Sequence, residues 1–156
     1  MKPTAFNRAL LLVTALSLAC NAGAQQTAPA KINERAESGG LALSVVKATR
    51  QTAIGILQEA DKDQTFLVAE VVLETTDRDE ARYRPADFKV KDSSGVEYDA
   101  TLNTARNSLK SGKLAKGEKV RGTVAFQIPK DAKGLVLSYN PFPLMGGFKP
   151  IRVALE

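Results

Sequence analysis

Two apolar stretches alternate with a period of two residues, and that period decides the fold class. In "VRGTVAFQI", Val120 to Ile128, one side of an extended chain carries Val120, Gly122, Val124, Phe126 and Ile128, and the other carries Arg121, Thr123, Ala125 and Gln127. In "TFLVAEVVLETT", Thr65 to Thr76, Leu67, Ala69, Val71 and Leu73 form a core-facing set while Glu70 and Glu74 mark the opposite face. The start of this second run is apolar on both faces, which places it in the middle of its sheet at that end. The two runs are expected to pair at the centre of a two-sheet core.

The rest of the chain has the same character. "FKVKD", Phe88 to Asp92, and "IRVALE", Ile151 to Glu156, alternate apolar with polar or charged residues, and Leu41–Ala48, Thr52–Gln58, Val96–Ala100 and Leu135–Tyr139 supply further strands. Asp92-Ser93-Ser94-Gly95 reads as a hairpin turn, Lys116-Gly117 opens the Val120 strand, and Pro129 ends it for want of an amide to donate. Only Thr101 to Gly112, "TLNTARNSLKSG", offers room for a turn or two of helix. About seven or eight short strands in a chain of this length describe an all-β sandwich or barrel.

The N-terminus belongs to another kind of segment. Lys2 and Arg8 precede "ALLLVTALSLA", Ala9 to Ala19, eleven residues without charge, which is the plan of a secretory signal and too short to span a bilayer as a helix. Ala22-Gly23-Ala24 before Gln25 is a small-x-small cleavage site, so residues 1–24 are expected to be removed, 25–38 to form a flexible N-terminal segment, and 39–156 to form the domain. The alternative is lipidation at Cys20, the one cysteine; Ser17 stands where lipoprotein signals usually place Leu, and the soluble product is favoured. Either route exports the domain to the periplasm or beyond, and membrane contact is expected only if Cys20 is lipidated.

Composition then restricts the chemistry. Histidine and tryptophan are absent. Ser and Cys nucleophiles generally rely on a histidine base, and zinc, copper and non-haem iron sites draw mainly on His and Cys. No catalytic residue, metal or cofactor is expected. Loss of Lys2 and Arg8 with the leader would leave 20 basic against 17 acidic residues, too small an excess to argue for nucleic acid.

From Phe66 to Ala100 the chain resembles a family of secreted bacterial immunoglobulin-like domains of unknown function, whose members are often labelled after telomeric repeat-binding factors. The resemblance rests on an F-x-V-x-x-V strand and on Asp87-Phe88-Lys89-Val90-Lys91-Asp92-Ser93-Ser94-Gly95-Val96-Glu97-Tyr98, which matches a D-F-x-[LV]-x-D-x-x-G-x-x-Y hairpin. It continues through "GEKVRG", "FQIP" and the apolar strand that follows, covering roughly residues 40–155. The same family is similar to a secreted mycobacterial immunogenic antigen. The resemblance implies an immunoglobulin-like two-sheet β-sandwich and brings no catalytic residues. Thr75-Thr76-Asp77 replaces the Asn that the family usually carries after its central strand.

Four features are candidates for function. Glu59 with Asp61-Lys62-Asp63, and Asp77-Arg78-Asp79-Glu80, gather carboxylates in loops, but basic residues interrupt both and solvated loops are favoured over calcium sites. Arg106, Lys110, Lys113, Lys116, Lys119 and Arg121 form a basic run broken by one acid, Glu118; it is either a polyanion patch or a solubilising edge. The run lacks aromatic residues to stack bases, and no sequence-specific nucleic acid is expected. "NPFPLMGGFKP", Asn140 to Pro150, gathers Phe142, Leu144, Met145 and Phe148 between prolines and glycines as either a partner-binding tip or a plug over the core. Glu70 and Glu74, on one strand face, could serve a carboxylate hydrolase but are expected to pair with Lys or Arg on a neighbouring strand. The expected role is a non-enzymatic, exported envelope module that binds a protein or envelope polymer through loops, its partner and oligomeric state undefined.

Overall fold

The computed structural model describes residues 28–141 and 148–156. Within them lie twelve strands: β1 (Arg35–Ser38), β2 (Leu41–Gln51), β3 (Ala53–Ile54), β4 (Gln58–Glu59), β5 (Gln64–Thr75), β6 (Glu80–Tyr83), β7 (Phe88–Lys91), β8 (Glu97–Thr101), β9 (Gly112–Ala115), β10 (Lys119–Pro129), β11 (Val136–Tyr139) and β12 (Ile151–Ala154). A single 3-10 turn, Pro85–Asp87, separates β6 from β7.

Eight strands hydrogen-bond in the order β1-β2-β5-β10-β8-β7-β11-β12. The sheet folds over at β8, whose Glu97–Asp99 pair with β7 and whose Ala100 and Thr101 pair with β10. Two layers result, one centred on β2, β5 and β10 and the other on β7, β11 and β12, as in an immunoglobulin-like sandwich. The long runs pair as their periods require: Val71 of β5 stands between Val45 of β2 and Gly122 of β10, and Leu73 between Leu43 and Val120. Leu41, Leu43, Val71, Leu73, Phe126 and Ile128 face Phe88, Leu135, Leu137 and Tyr139 in one core cluster with essentially no exposed surface. Complete burial of each Leu or Phe side chain contributes about 1.5–3 kcal/mol.

The double-sided start of β5 has a specific cover. After β2 the chain turns at Gly55 (φ +65°), and the small β3–β4 hairpin lays Ile54 on Phe66, Val68 and Ala125, which point away from the main core. Thr52–Gln58 is therefore two short strands around a turn and not one strand, because Gly55 reverses the chain in a conformation that L side chains avoid.

Two other expectations change. Residues 30–38 are not a loose N-terminal segment: Ala30 exchanges hydrogen bonds with Arg152 and Ala154 of β12, β1 pairs with β2 over its whole length, and Ile32 and Ala36 pack on the core. Residues 101–112 contain no helix. Thr123 donates its amide to Asn107 O at 2.8 Å and accepts from the Leu109 amide at 2.9 Å, so after a turn at 105–107 the chain runs along the edge of β10 at 107–109 with Leu109 buried. The side chain of Leu109 supplies a burial term that an isolated helical turn lacks.

Candidate functional site

Four of the six cations in the basic run meet carboxylates across neighbouring strands. Arg121 Nε lies 2.7 Å from Glu70 Oε1, and Lys119 Nζ lies 3.3 Å from Glu74 Oε2, which Arg35 also approaches at 3.5 Å. Lys116 Nζ is 3.2 Å from Asp77, and Lys113 Nζ is 3.1 Å from Glu80. The register explains it: Lys119 stands opposite Glu74 in the β5–β10 ladder, and β6 brings Glu80 beside β9. The Asp77–Glu80 acids and the basic run are thus two halves of one exposed network, in which each pair contributes about 0–1 kcal/mol. Arg106 and Lys110 have no ion pair among the described residues.

The short pair β6–β9 adds two cations that lie outside the linear run. Along Glu80-Ala81-Arg82-Tyr83 the burial alternates, so Ala81 and Tyr83 enter the core and Glu80 and Arg82 face solvent. Arg84 follows in extended conformation, its guanidinium holding the buried Asp87 carboxylate through Nη2 at 2.7 Å and Nε at 3.2 Å. The Asp87 hydrogen bond and charge raise the Arg84 pKa above its ordinary value. Arg82, Tyr83, Arg84, Gly112, Lys113 and Pro141 border a cleft of about 470 Å³. Gly112 is required there: a Cβ on it would lie 2.5 Å from the Tyr83 hydroxyl.

The cleft joins the basic run to the 140–150 loop. Asn140 N donates to Asp87 O at 2.9 Å, and Pro141 lies on the cleft wall. At the far end of that loop Phe148 is half-buried against the core, and its ring would meet a Cβ on Gly39 at 2.8 Å. Phe142, Leu144 and Met145, like Cys20, lie outside the described residues. In the two residues before Pro141, the Tyr139 hydroxyl and Asn140 Oδ1 are buried with no hydrogen-bond partner among the described residues. Burial raises the Tyr139 phenol well above its usual range.

The hairpin motif proves to be scaffolding. Asp92 Oδ1 accepts from Ser94 N (2.9 Å), Ser94 Oγ (2.6 Å) and Val96 N (3.0 Å), and Oδ2 accepts from the Tyr98 hydroxyl (2.8 Å). These bonds, that from Ser94 foremost, hold the Asp92 carboxyl down to about 2. Gly95 takes φ +91°, so the Asp, Gly and Tyr of the motif together define the turn. In the other acidic loop, Asp61 accepts from Gln127 Nε2 at 2.6 Å, tying the loop to β10. Among the described residues no three His, Cys, Asp or Glu side chains are grouped to hold a metal ion.

Sequence periodicity did not reveal the tip of the β3–β4 hairpin, where Ile56 and Leu57 are each 93% exposed, with Leu102 at 75%. The signal was Gly55 within an otherwise uncharged stretch, Gln51 to Gln58.

The model of a domain family described as "Domain of unknown function (DUF4352)" matches residues 30–149, more than half of the chain. No curated protein matches at a significant level. Among solved structures, the yjhA protein of Bacillus subtilis aligns with a TM-score of 0.65 at 23% identity, covering 81% of this chain and 99% of its own. A putative lipoprotein of Bacillus subtilis, ycdA, aligns at 0.64 and 15% identity, with 78% of this chain matching 38% of that one. The secreted protein MPT63 of Mycobacterium tuberculosis aligns at 0.58 and 11% identity, over 83% of this chain and 98% of that one. At these identities the likenesses speak to the fold alone. Among the described residues no helix is long and apolar enough to cross a membrane.

Proposed function

We propose that this chain, which belongs to the DUF4352 family of domains of unknown function, is an exported, non-enzymatic immunoglobulin-like module of the cell envelope. It binds a protein or an envelope polymer through the loops at the β6–β9 end. One observation carries the reading: the basic run, through Lys113, and the 140–150 segment, through Pro141, border the same cleft although they are far apart in sequence. Binding residues are disproportionately carried on loops held by a rigid scaffold.

Export is supported by the leader-like residues 1–24 and by the company of a secreted protein and a putative lipoprotein among the structural neighbours. The non-enzymatic reading is supported by the lack of histidine and by the use of Glu70 and Glu74 in ion pairs, which leaves a carboxylate hydrolase without free partners on that strand. Co-sedimentation with an isolated envelope fraction tests the binding role. The wild-type chain is expected to pellet, and Lys110→Glu and Phe142→Ser to weaken pelleting; a chain that never pellets refutes it. The lipid-anchored version of the same module is separated by intact mass from the native host: a chain beginning at Gln25 excludes it, and acyl mass on Cys20 establishes it.

A further inference from the structure

We infer that the solvent face shared by β6 and β9 recognises an extended polyanion, a chain of repeating phosphate or carboxylate groups; this rests on the binding reading above and names its ligand chemistry. In the β6–β9 ladder Arg82 stands directly opposite Lys113. Like charges directly opposite on a sheet face destabilise it. Arg84, two residues on in an extended chain (φ −143°, ψ 149°), falls on the same side as Arg82.

Strand spacing and the two-residue repeat place these three positions about 5–7 Å from their nearest neighbours at the backbone, within the screening length of about 8 Å at physiological salt. Their repulsion is therefore felt. Glu80 answers two of them at once, at 3.1 Å from Lys113 Nζ and a loose 4.0 Å from Arg82 Nε, while Asp87 is committed to Arg84. Arg121 and Lys116, in contrast, each have a carboxylate of their own. Lys110, just before β9, adds a cation with no ion pair among the described residues.

Arg82 and Lys113 share the single carboxylate of Glu80, so the exposed pairing at these positions is set against the repulsion between them. The arrangement gives an anionic chain several donors on one face beside an open cleft. Guanidinium groups suit this use, because their fork meets carboxylate or phosphate oxygens in pairs and remains charged at any physiological pH.

The test is titration of the full chain with linear polyphosphate and, separately, poly-L-glutamate, across a salt series, with neutral dextran as the blank. Wild type is expected to bind at least one polyanion. Arg82→Gln/Lys113→Gln should weaken it about tenfold and lower the slope of log affinity against log salt by about 0.7–0.9 per lost contact. Lys47→Gln/Lys62→Gln, an equal charge change elsewhere on the surface, should leave binding within twofold (~2-fold), short of the change expected for a lost contact. Thermal melts guard against misfolding: Lys113→Gln gives up one exposed ion pair with Glu80 and relieves the opposed charges, so it should melt close to wild type. The arm that binds identifies phosphate or carboxylate as the recognised group. No binding to either polymer at low salt overturns the inference, as does binding that both double variants weaken equally. Envelope pelleting that survives Arg82→Gln/Lys113→Gln would leave the binding module standing and remove this ligand from it.

Discussion

Gly122→Ala puts the packing of the β10 edge to a quantitative test. A Cβ built on Gly122 would lie 2.8 Å from Leu109 Cα and 3.0 Å from both Leu109 N and Leu109 Cβ. Backbone atoms cannot swing aside as a flexible side-chain end can, so the 107–109 segment must lift. It is held by two hydrogen bonds to Thr123, of 2.8 and 2.9 Å, and by Leu109, which is only 5% exposed. Weakening the hydrogen bonds costs about 0.5–1.5 kcal/mol each, and unseating a leucine about 1.5–3 kcal/mol. Partial relaxation keeps the total at about 2–4 kcal/mol, a large share of a domain's usual 5–15 kcal/mol. The assay is equilibrium urea unfolding, read as a lower midpoint at unchanged slope. Gly117→Ala is the control: nothing lies within 4 Å of its Cβ, but its φ of +79° limits the expected loss to strain alone, about 1–2 kcal/mol. Leu109→Ala should not rescue Gly122→Ala, because the N and Cα atoms stay in the way. A Gly122→Ala variant within about 0.5 kcal/mol of wild type would refute the reasoning.

Asp92→Asn removes a carboxylate held down to about 2. Because that folded-state value lies below the ordinary aspartate value of about 3.9, the wild type's advantage should be complete above about pH 4 and fade as pH falls towards 2; parallel acid unfolding curves with a pH-independent gap would contradict this. Thr75, fully buried, donates its hydroxyl to Ala115 O, so Thr75→Val should cost about 1–2 kcal/mol in thermal unfolding, and a neutral result would mean that this bond contributes nothing. Phe148→Ala should lower stability by about 1–2 kcal/mol, as expected for a half-buried side chain, whereas an unchanged melt would reassign Phe148 to a free surface.

The centre of the fold was legible because β5 and β10 alternate over many residues, and a strict period of two admits few other structures. The short pair β6–β9 escaped for the opposite reason. Glu80–Tyr83 alternates through only two buried residues, Gly112–Ala115 buries one leucine, and their pairing joins positions 33 residues apart. The Thr101–Gly112 stretch has helix-compatible composition, yet the edge of β10 and the pocket for Leu109 decide its shape, and both are tertiary facts. The candidate site was half legible. Lys113 and the 140–150 loop carry clear local signals, but Arg82 and Arg84 sit outside the basic run. The carboxylates that neutralise Lys116, Lys119 and Arg121 come from positions 39 to 51 residues earlier or directly across a ladder, where only register can place them.

Nitrogen-15 NMR of the labelled chain, titrated with linear polyphosphate at low salt, locates the binding surface most directly. Backbone or side-chain signals of Arg82, Arg84, Gly112 and Lys113 should shift first and saturate together, while those around Lys47 and Lys62 stay in place. Shifts that begin elsewhere, or that spread evenly over all exposed lysines and arginines, would contradict a binding face built by β6 and β9.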